Sequence, residues 1–343
     1  MKKLISAFLL LSIVLTFSAC SVFNRENTDD GKNDDAVIRI AYMSGPTGMG
    51  IAKLMHDNAA ADGNKKYEFT KYTDASLATA DLLAGKLDMA CIPTNTAATI
   101  YNKKGENISV LAINCLNSLY VMTKTGAEVK NLHDLEGKTI YTINNGTPAV
   151  ILRHLLDESG VNATVKTKIG EGANEKVIAA PTDLAPLLIS GQIDVALVPE
   201  PVATAVPLKI ASLNKDYTYT VAINLTEAWA EISDSPVAMG CIVANNSFIS
   251  AHKSLVNSFL NEYKESIDFI SNPENIDLSA EYIVEASVLD ATPAAKKSLN
   301  NLADAIAYKD GDEMKTILTS FYNAIGHNLI GGKLPGDNFY YKQ

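Results

Sequence analysis

The stretch Leu82-Leu-Ala-Gly-Lys-Leu-Asp-Met-Ala-Cys-Ile-Pro-Thr-Asn-Thr-Ala97 returns 106 residues later as Leu188-Ile-Ser-Gly-Gln-Ile-Asp-Val-Ala-Leu-Val-Pro-Glu-Pro-Val-Ala203. Six of the sixteen paired positions are identical, and half of the other ten exchange one apolar residue for another. Junctions of this kind also arise from ordinary turn preferences, but duplication of one supersecondary unit is the favoured reading. Each copy reads as a helix end, a Gly turn, a short buried strand and a polar loop that opens a new helix. Gly85 and Gly191 fall where a helix C′ residue takes the left-handed conformation, and 87–92 and 193–198 are apolar runs of buried-strand type. The fold class expected is α/β, with two similar lobes facing each other. The loops Thr94-Asn95-Thr96 and Glu200-Pro201 then lie at strand carboxyl ends, where open α/β sheets bind ligands.

The chain begins with two lysines, an apolar run and the small pair Ser18-Ala19 before Cys20. This is the pattern of a lipoprotein secretion signal over residues 1–19, with Cys20 lipidated at the mature N-terminus. Phe17 replaces the Leu usual at that distance from the cysteine. The apolar run is shorter than the roughly 20 residues a membrane span prefers. Residues 21–35 are polar and carry almost no apolar side chain after Phe23, so 20–35 reads as a flexible tether. From Ala36 on, roughly 300 residues remain, enough for two lobes.

Without Lys2 and Lys3 the 29 basic residues become 27 against 39 acidic ones, a net charge of −12. That field disfavours nucleic acid as a partner. Cys91, Cys115 and Cys241 sit in apolar runs and read as buried thiols, with a Cys115–Cys241 bridge the less favoured alternative. His56, His133, His154, His252 and His327 show no ligand spacing, so neither a metal nor another cofactor is expected.

Along the chain, 37–42 alternates as a strand, and Ser44-Gly-Pro-Thr-Gly-Met-Gly50 turns into a helix over 51–61. A strand over 67–72 and a helix over 75–84 complete the series before the first repeat copy. Residues 110–124 form a long β-like segment interrupted at Asn114, Asn117 and Ser118, suited to crossing between lobes. A second series opens at 139–143, where Thr147 reads as an N-cap with Pro148 at the first helical position. That helix runs to Ser159, and the next strand falls within 161–169. Gly240-Cys-Ile-Val-Ala244 reads as a partner for 119–123 and as a second crossing; two crossings imply a hinge. Leu255, Val256, Phe259, Leu260, Tyr263, Ile267 and Ile270 share one stripe of a helix over 253–271, and the helices from there to Ile325 are expected to pack on the first lobe. Phe248 reads as core, and Trp229 either lines the cleft or packs under the hinge.

Four loops that follow strands and precede helices carry the candidate ligand groups: Ser44, Thr47 and Gly48; Thr94, Asn95 and Thr96; Asn145 and Thr147; Glu200 and Pro201. Asn117 and Ser118 at the first crossing join them. Helix N-termini aimed at one cleft favour an anionic or strongly polar group. Each of these side chains has its helix cap as the structural alternative. The Gly-rich loop lacks both the dinucleotide and the phosphate-loop patterns. Glu200 can accept hydrogen bonds from a ligand or act as a base, but no second catalytic group stands with it in sequence.

Ser44-Gly-Pro-Thr-Gly48, Leu83-Ala-Gly-Lys-Leu-Asp-Met-Ala90, Leu135-Glu-Gly-Lys-Thr-Ile140 with Gly146-Thr-Pro148, Pro199-Glu-Pro201 and Gly331-Gly-Lys-Leu-Pro335 occur in the order and spacing of one architecture. On these residues the chain resembles the solute-binding lipoproteins of ABC importers with a type II periplasmic-binding fold. Within them it is similar to the nitrate/sulfonate/bicarbonate and thiamine-pyrimidine-precursor group. The resemblance implies a two-lobed fold, each lobe a mixed sheet flanked by helices, with lobe 1 over 36–118 and 240–343, lobe 2 over 119–239, and two hinge crossings between them. It further implies a noncatalytic, monomeric receptor held outside the cytoplasm by its lipid, closing on a small polar or anionic molecule and passing it to an ABC permease. Two alternatives stand beside it: a receptor feeding a signalling partner, and an enzyme of the same fold similar to the yeast-type pyrimidine-precursor synthase. That enzyme is marked by a Cys-rich motif, and no clustered cysteines occur here.

Overall fold

Both copies of the duplicated segment leave their first helix in the same way, although the second enters its next helix through a cis Glu200–Pro201 peptide. The helix ahead of each ends at a glycine with φ of +72°, at Gly85 and at Gly191, and that glycine's N–H donates back to Leu82 O or Leu188 O. The structure is a computed structural model and describes residues 36–343 except 62, 145, 146 and 303. The signal segment, Cys20 and the tether therefore lie outside the described residues.

Lobe 1 opens with β1 (Ile38–Met43), α1 (Pro46–Met49), α2 (Ala52–Ala59), β2 (Tyr67–Tyr72), α3 (Ala75–Leu83), β3 (Met89–Pro93), α4 (Thr94–Lys104) and β4 (Ile108–Leu116). Lobe 2 contains β5 (Leu119–Lys124), β6 (Thr139–Tyr141), α5 (Thr147–Glu158), β7 (Thr164–Lys166), the ribbon of β8 (Lys168–Ile169) and β9 (Lys176–Val177), α6 (Pro181–Ile189), β10 (Val195–Pro199), α7 (Val202–Ser212), β11 (Tyr219–Asn224) and α8 (Leu225–Ala230). The chain returns with β12 (Ala238–Asn245), then α9 (Asn246–Ala251), α10 (Lys253–Ser271), α11 (Ile276–Glu285), α12 (Thr292–Asn301) and α13 (Gly311–Ile325).

The two five-stranded sheets run β2-β1-β3-β12-β4 and β7-β6-β10-β5-β11. They are equivalent strand for strand: three parallel strands, then one antiparallel insert, then a strand antiparallel to that insert. The inserted strand is in each case the one that has just crossed from the other lobe. This corrects the expected pairing of 119–123 with 240–244. β5 and β12 are buried over most of their length on both faces, so each takes a central place in a sheet. The first crossing bends at Asn117, whose φ is +33°, and Asn114 is an ordinary buried residue of β4, not a break. Asn117 also ties the crossings together: its N–H donates to Val237 O at 3.1 Å, and Val237 N–H donates to its side-chain oxygen at 2.9 Å.

The shared aspartate of the repeat has diverged. Asp88 accepts from Arg39 N–H at 2.8 Å, Nε at 3.0 Å and Nη2 at 2.6 Å, whereas Asp194 stays exposed, with Lys124 Nζ 3.9 Å away. The α10 stripe buries Val256, Phe259, Leu260, Tyr263, Ile267 and Ile270, each apolar side chain contributing about 1.5–3 kcal/mol, while Leu255 is half-buried. Packing of all the C-terminal helices on lobe 1 holds only in part: α10 and α11 pack on α2, but α12 also packs on α7 and α13 on α5 of lobe 2. Trp229 is 1% exposed, its ring beside His154 and Phe321 and its Nε1 donating to Ser235 O at 2.7 Å, so it packs beneath the second crossing. Phe248 is half-buried against the lobe 1 core. Cys91, Cys115 and Cys241 are free buried thiols, and burial pushes Cys91 and Cys115 up to about 12. Among the described residues no group of His, Cys, Asp and Glu is arranged to hold a metal ion, and no helix is long and apolar enough to cross a membrane.

Candidate functional site

The loop after β1 turns on Gly45, with φ of +87°, and Gly48 N–H donates to Gly45 O at 2.9 Å. Ser44 is exposed and Thr47 half-buried, and Asn114 Nδ2 holds the loop from below by donating to Thr47 O at 3.2 Å. Gly48 allows the chain to pass over the end of β1, since a Cβ there would stand 1.8 Å from Met43 O. Across the gap between lobes, a Cβ on Gly45 would come within 3.6 Å of Glu200 O and 3.7 Å of Pro201 Cδ. The first and last of the four loops therefore face each other directly.

The other two loops meet through one hydrogen bond. Thr147 Oγ1 donates to Asn95 Oδ1 at 3.1 Å, joining the first turn of α5 in lobe 2 to the first turn of α4 in lobe 1. Thr147 is itself the first residue of its helix rather than its N-cap, and its hydroxyl reaches Asn95. Asn145 and Gly146 lie outside the described residues. Thr94 is fully buried and structural: its hydroxyl donates to Ala238 O at 2.5 Å, and Tyr322 OH donates to its carbonyl at 2.8 Å. Thr96 is half-buried on the same turn. Ser118 is buried beside Cys115, and its carbonyl accepts from Glu200 N–H at 3.1 Å.

Glu200, 1% exposed and joined to Pro201 by a cis peptide, carries the densest polar network. Its Oε1 accepts from Thr204 Oγ1 at 2.9 Å and Asn301 Nδ2 at 2.7 Å; its Oε2 accepts from Thr204 N–H at 3.2 Å and Ser298 Oγ at 3.1 Å. Each oxygen faces an N–H that can only donate, an arrangement that suits a carboxylate. Burial nonetheless raises its pKa above the ordinary value, against the lowering effect of those hydrogen bonds. Because Ser298 and Asn301 belong to α12, the carboxylate ties lobe 2 to a helix packed on lobe 1. Sequence reading missed Ser298, Asn301 and Thr204. Only Thr204 carried a signal, four residues beyond Glu200 on the first turn of α7; the α12 pair sits about 100 residues away with no motif around it.

The fold is that of solved solute-binding proteins. An ABC transporter structure from Parabacteroides distasonis superposes with a TM-score of 0.70 at 19% identity, covering 90% of this chain and 99% of that one. The periplasmic aliphatic sulphonate binding protein SsuA from Escherichia coli gives 0.67 at 13% identity, covering 89% and 92%. The periplasmic nitrate-binding protein NrtA from Synechocystis PCC 6803 gives 0.57 at 13%, covering 81% and 74%. No curated protein matches the chain. The family model described as NMT1/THI5 like matches residues 66–276, more than half of the chain. With the duplicated sheet order and the inserted crossing strands, these matches bear out the resemblance read from the sequence, and the chain belongs to the NMT1/THI5-like family.

Proposed function

We propose that this protein is the extracytoplasmic solute-binding component of an ABC importer, capturing a small polar molecule, neutral or anionic, between its lobes and delivering it to a membrane permease. The observation that carries this reading is the meeting of strand-end loops from opposite lobes, Thr147 with Asn95 and Gly45 with Glu200-Pro201. Loops at the carboxyl ends of two sheets joined by two crossings form a cleft that opens and closes. Ser44, Thr47, Gly48, Thr94, Asn95, Thr96, Asn117, Ser118, Asn145, Thr147, Glu200 and Pro201 line or support it. Lobe 1 comprises 36–118 and 240–343 and lobe 2 comprises 119–239, behind a signal of 1–19 and a tether of 20–35. The Glu200 carboxylate accepts four hydrogen bonds from its own chain, which weighs against a role as a free catalytic base.

Thermal unfolding against sulfonates, nitrate, bicarbonate, thiamine precursors, flavins and aromatic acids tests the receptor role. A ligand at a hundred times its dissociation constant adds about 2.7 kcal/mol, and it should be recovered chemically unchanged. Conversion of the bound compound would sink the reading. The protein acts as a monomer held to the membrane by lipid on Cys20. Detergent partition of the chain and of Cys20→Ala checks the anchor: the variant should move to the aqueous phase, and equal partition of both contradicts it.

A further inference from the structure

The loops of the cleft, 44–49, 94–96, 117–118 and 200–201, together with Thr147, contain no Lys, Arg or His. Glu200 is their one ionisable residue. Among the described residues its carboxylate has no cationic partner, only the dipoles of Thr204, Ser298 and Asn301. One of those dipoles is the Thr204 N–H in the first turn of α7, so the positive end of that helix is already spent on Glu200. A buried negative charge without a counterion opposes a second one nearby.

We infer that Glu200 is a specificity-determining residue that makes the cleft select uncharged polar solutes and reject anions, an inference that rests on the receptor reading above. Glu200 stands where the loops meet, its backbone oxygen 3.6 Å from where a Gly45 Cβ would sit, so an anion held between the loops shares a low-dielectric site with its carboxylate. A helix N-terminus returns only about two- to fivefold. Asn95 gives the solute a complementary group. With its Oδ1 taken by Thr147, its amide N–H groups remain as donors to a carbonyl or ring nitrogen.

The test uses the full chain and matched pairs: nicotinamide with nicotinate, uracil with orotate, benzamide with benzoate, and ethanesulfonamide with ethanesulfonate. Dissociation constants are measured for wild type and for Glu200→Gln. At least one neutral member should bind wild type, its anionic twin at least tenfold more weakly, and the gap should narrow by about tenfold or more in the variant. An anion bound as tightly as its neutral twin overturns the inference, as does an unchanged gap in a folded Glu200→Gln. If that variant does not fold, the wild-type pairs decide alone. Binding of no member at all overturns this inference, while the receptor reading is decided by the wider ligand panel.

Discussion

Replacing Glu200 by Ala should cost about 3–5 kcal/mol of stability, read as a lower urea midpoint with an unchanged slope. The substitution strands four donors, two of them N–H groups, in a site the side chain leaves only 1% exposed, and it opens a cavity between α7 and α12. Glu200→Gln keeps the shape but turns an NH2 toward an N–H donor on whichever oxygen position it takes, so a loss of about 1–3 kcal/mol is expected. A change below about 0.5 kcal/mol in Glu200→Ala contradicts the network as described. The pH dependence has a definite sign. Burial holds the folded pKa above the unfolded value, so the native state keeps its proton over the window between them. Stability from this group is then fully present below the ordinary carboxylate range and declines as pH rises through the folded value. The advantage of wild type over Glu200→Gln should shrink across that window, and an advantage that grows there refutes the assignment.

Gly48→Ala should be as damaging, at about 4 kcal/mol or more. The added Cβ would lie 1.8 Å from Met43 O, a backbone atom at the end of a strand paired on both sides, so neither partner can yield without moving β1 or the cleft loop. Gly85→Ala is the control. A Cβ there meets nothing within 4 Å, and only the positive φ is strained, so about 1 kcal/mol is expected. Equal losses in the two variants, measured by denaturation, would remove the steric account of the loop.

How the cleft is held together was legible only where the contact was local. The repeated Gly and the apolar strand after it were readable because a left-handed C′ residue and a buried run are set by neighbours in the chain. Thr147 was singled out as a helix start, yet its hydroxyl bonds Asn95, which is 52 residues away and in the other lobe. Thr94 drew the same attention, and its hydroxyl proves to fasten Ala238 at the second crossing. A polar side chain beside a helix start has several partners within reach, and its choice among them depends on which strands the sheet brings alongside.

The sequence by itself determined that two α/β lobes exist and where the repeated strands β3 and β10 and the helix ends before them fall, because hydrophobic period and turn chemistry act over a few residues. Only the tertiary structure decided that β5 and β12 insert into the middle of separate sheets rather than pair with each other, since that choice depends on which arrangement buries both faces of each strand. It also decided that Glu200 spends its carboxylate on Ser298 and Asn301, about 100 residues along the chain. A buried charge must be satisfied by whatever donors the fold delivers, and no local pattern records where they come from.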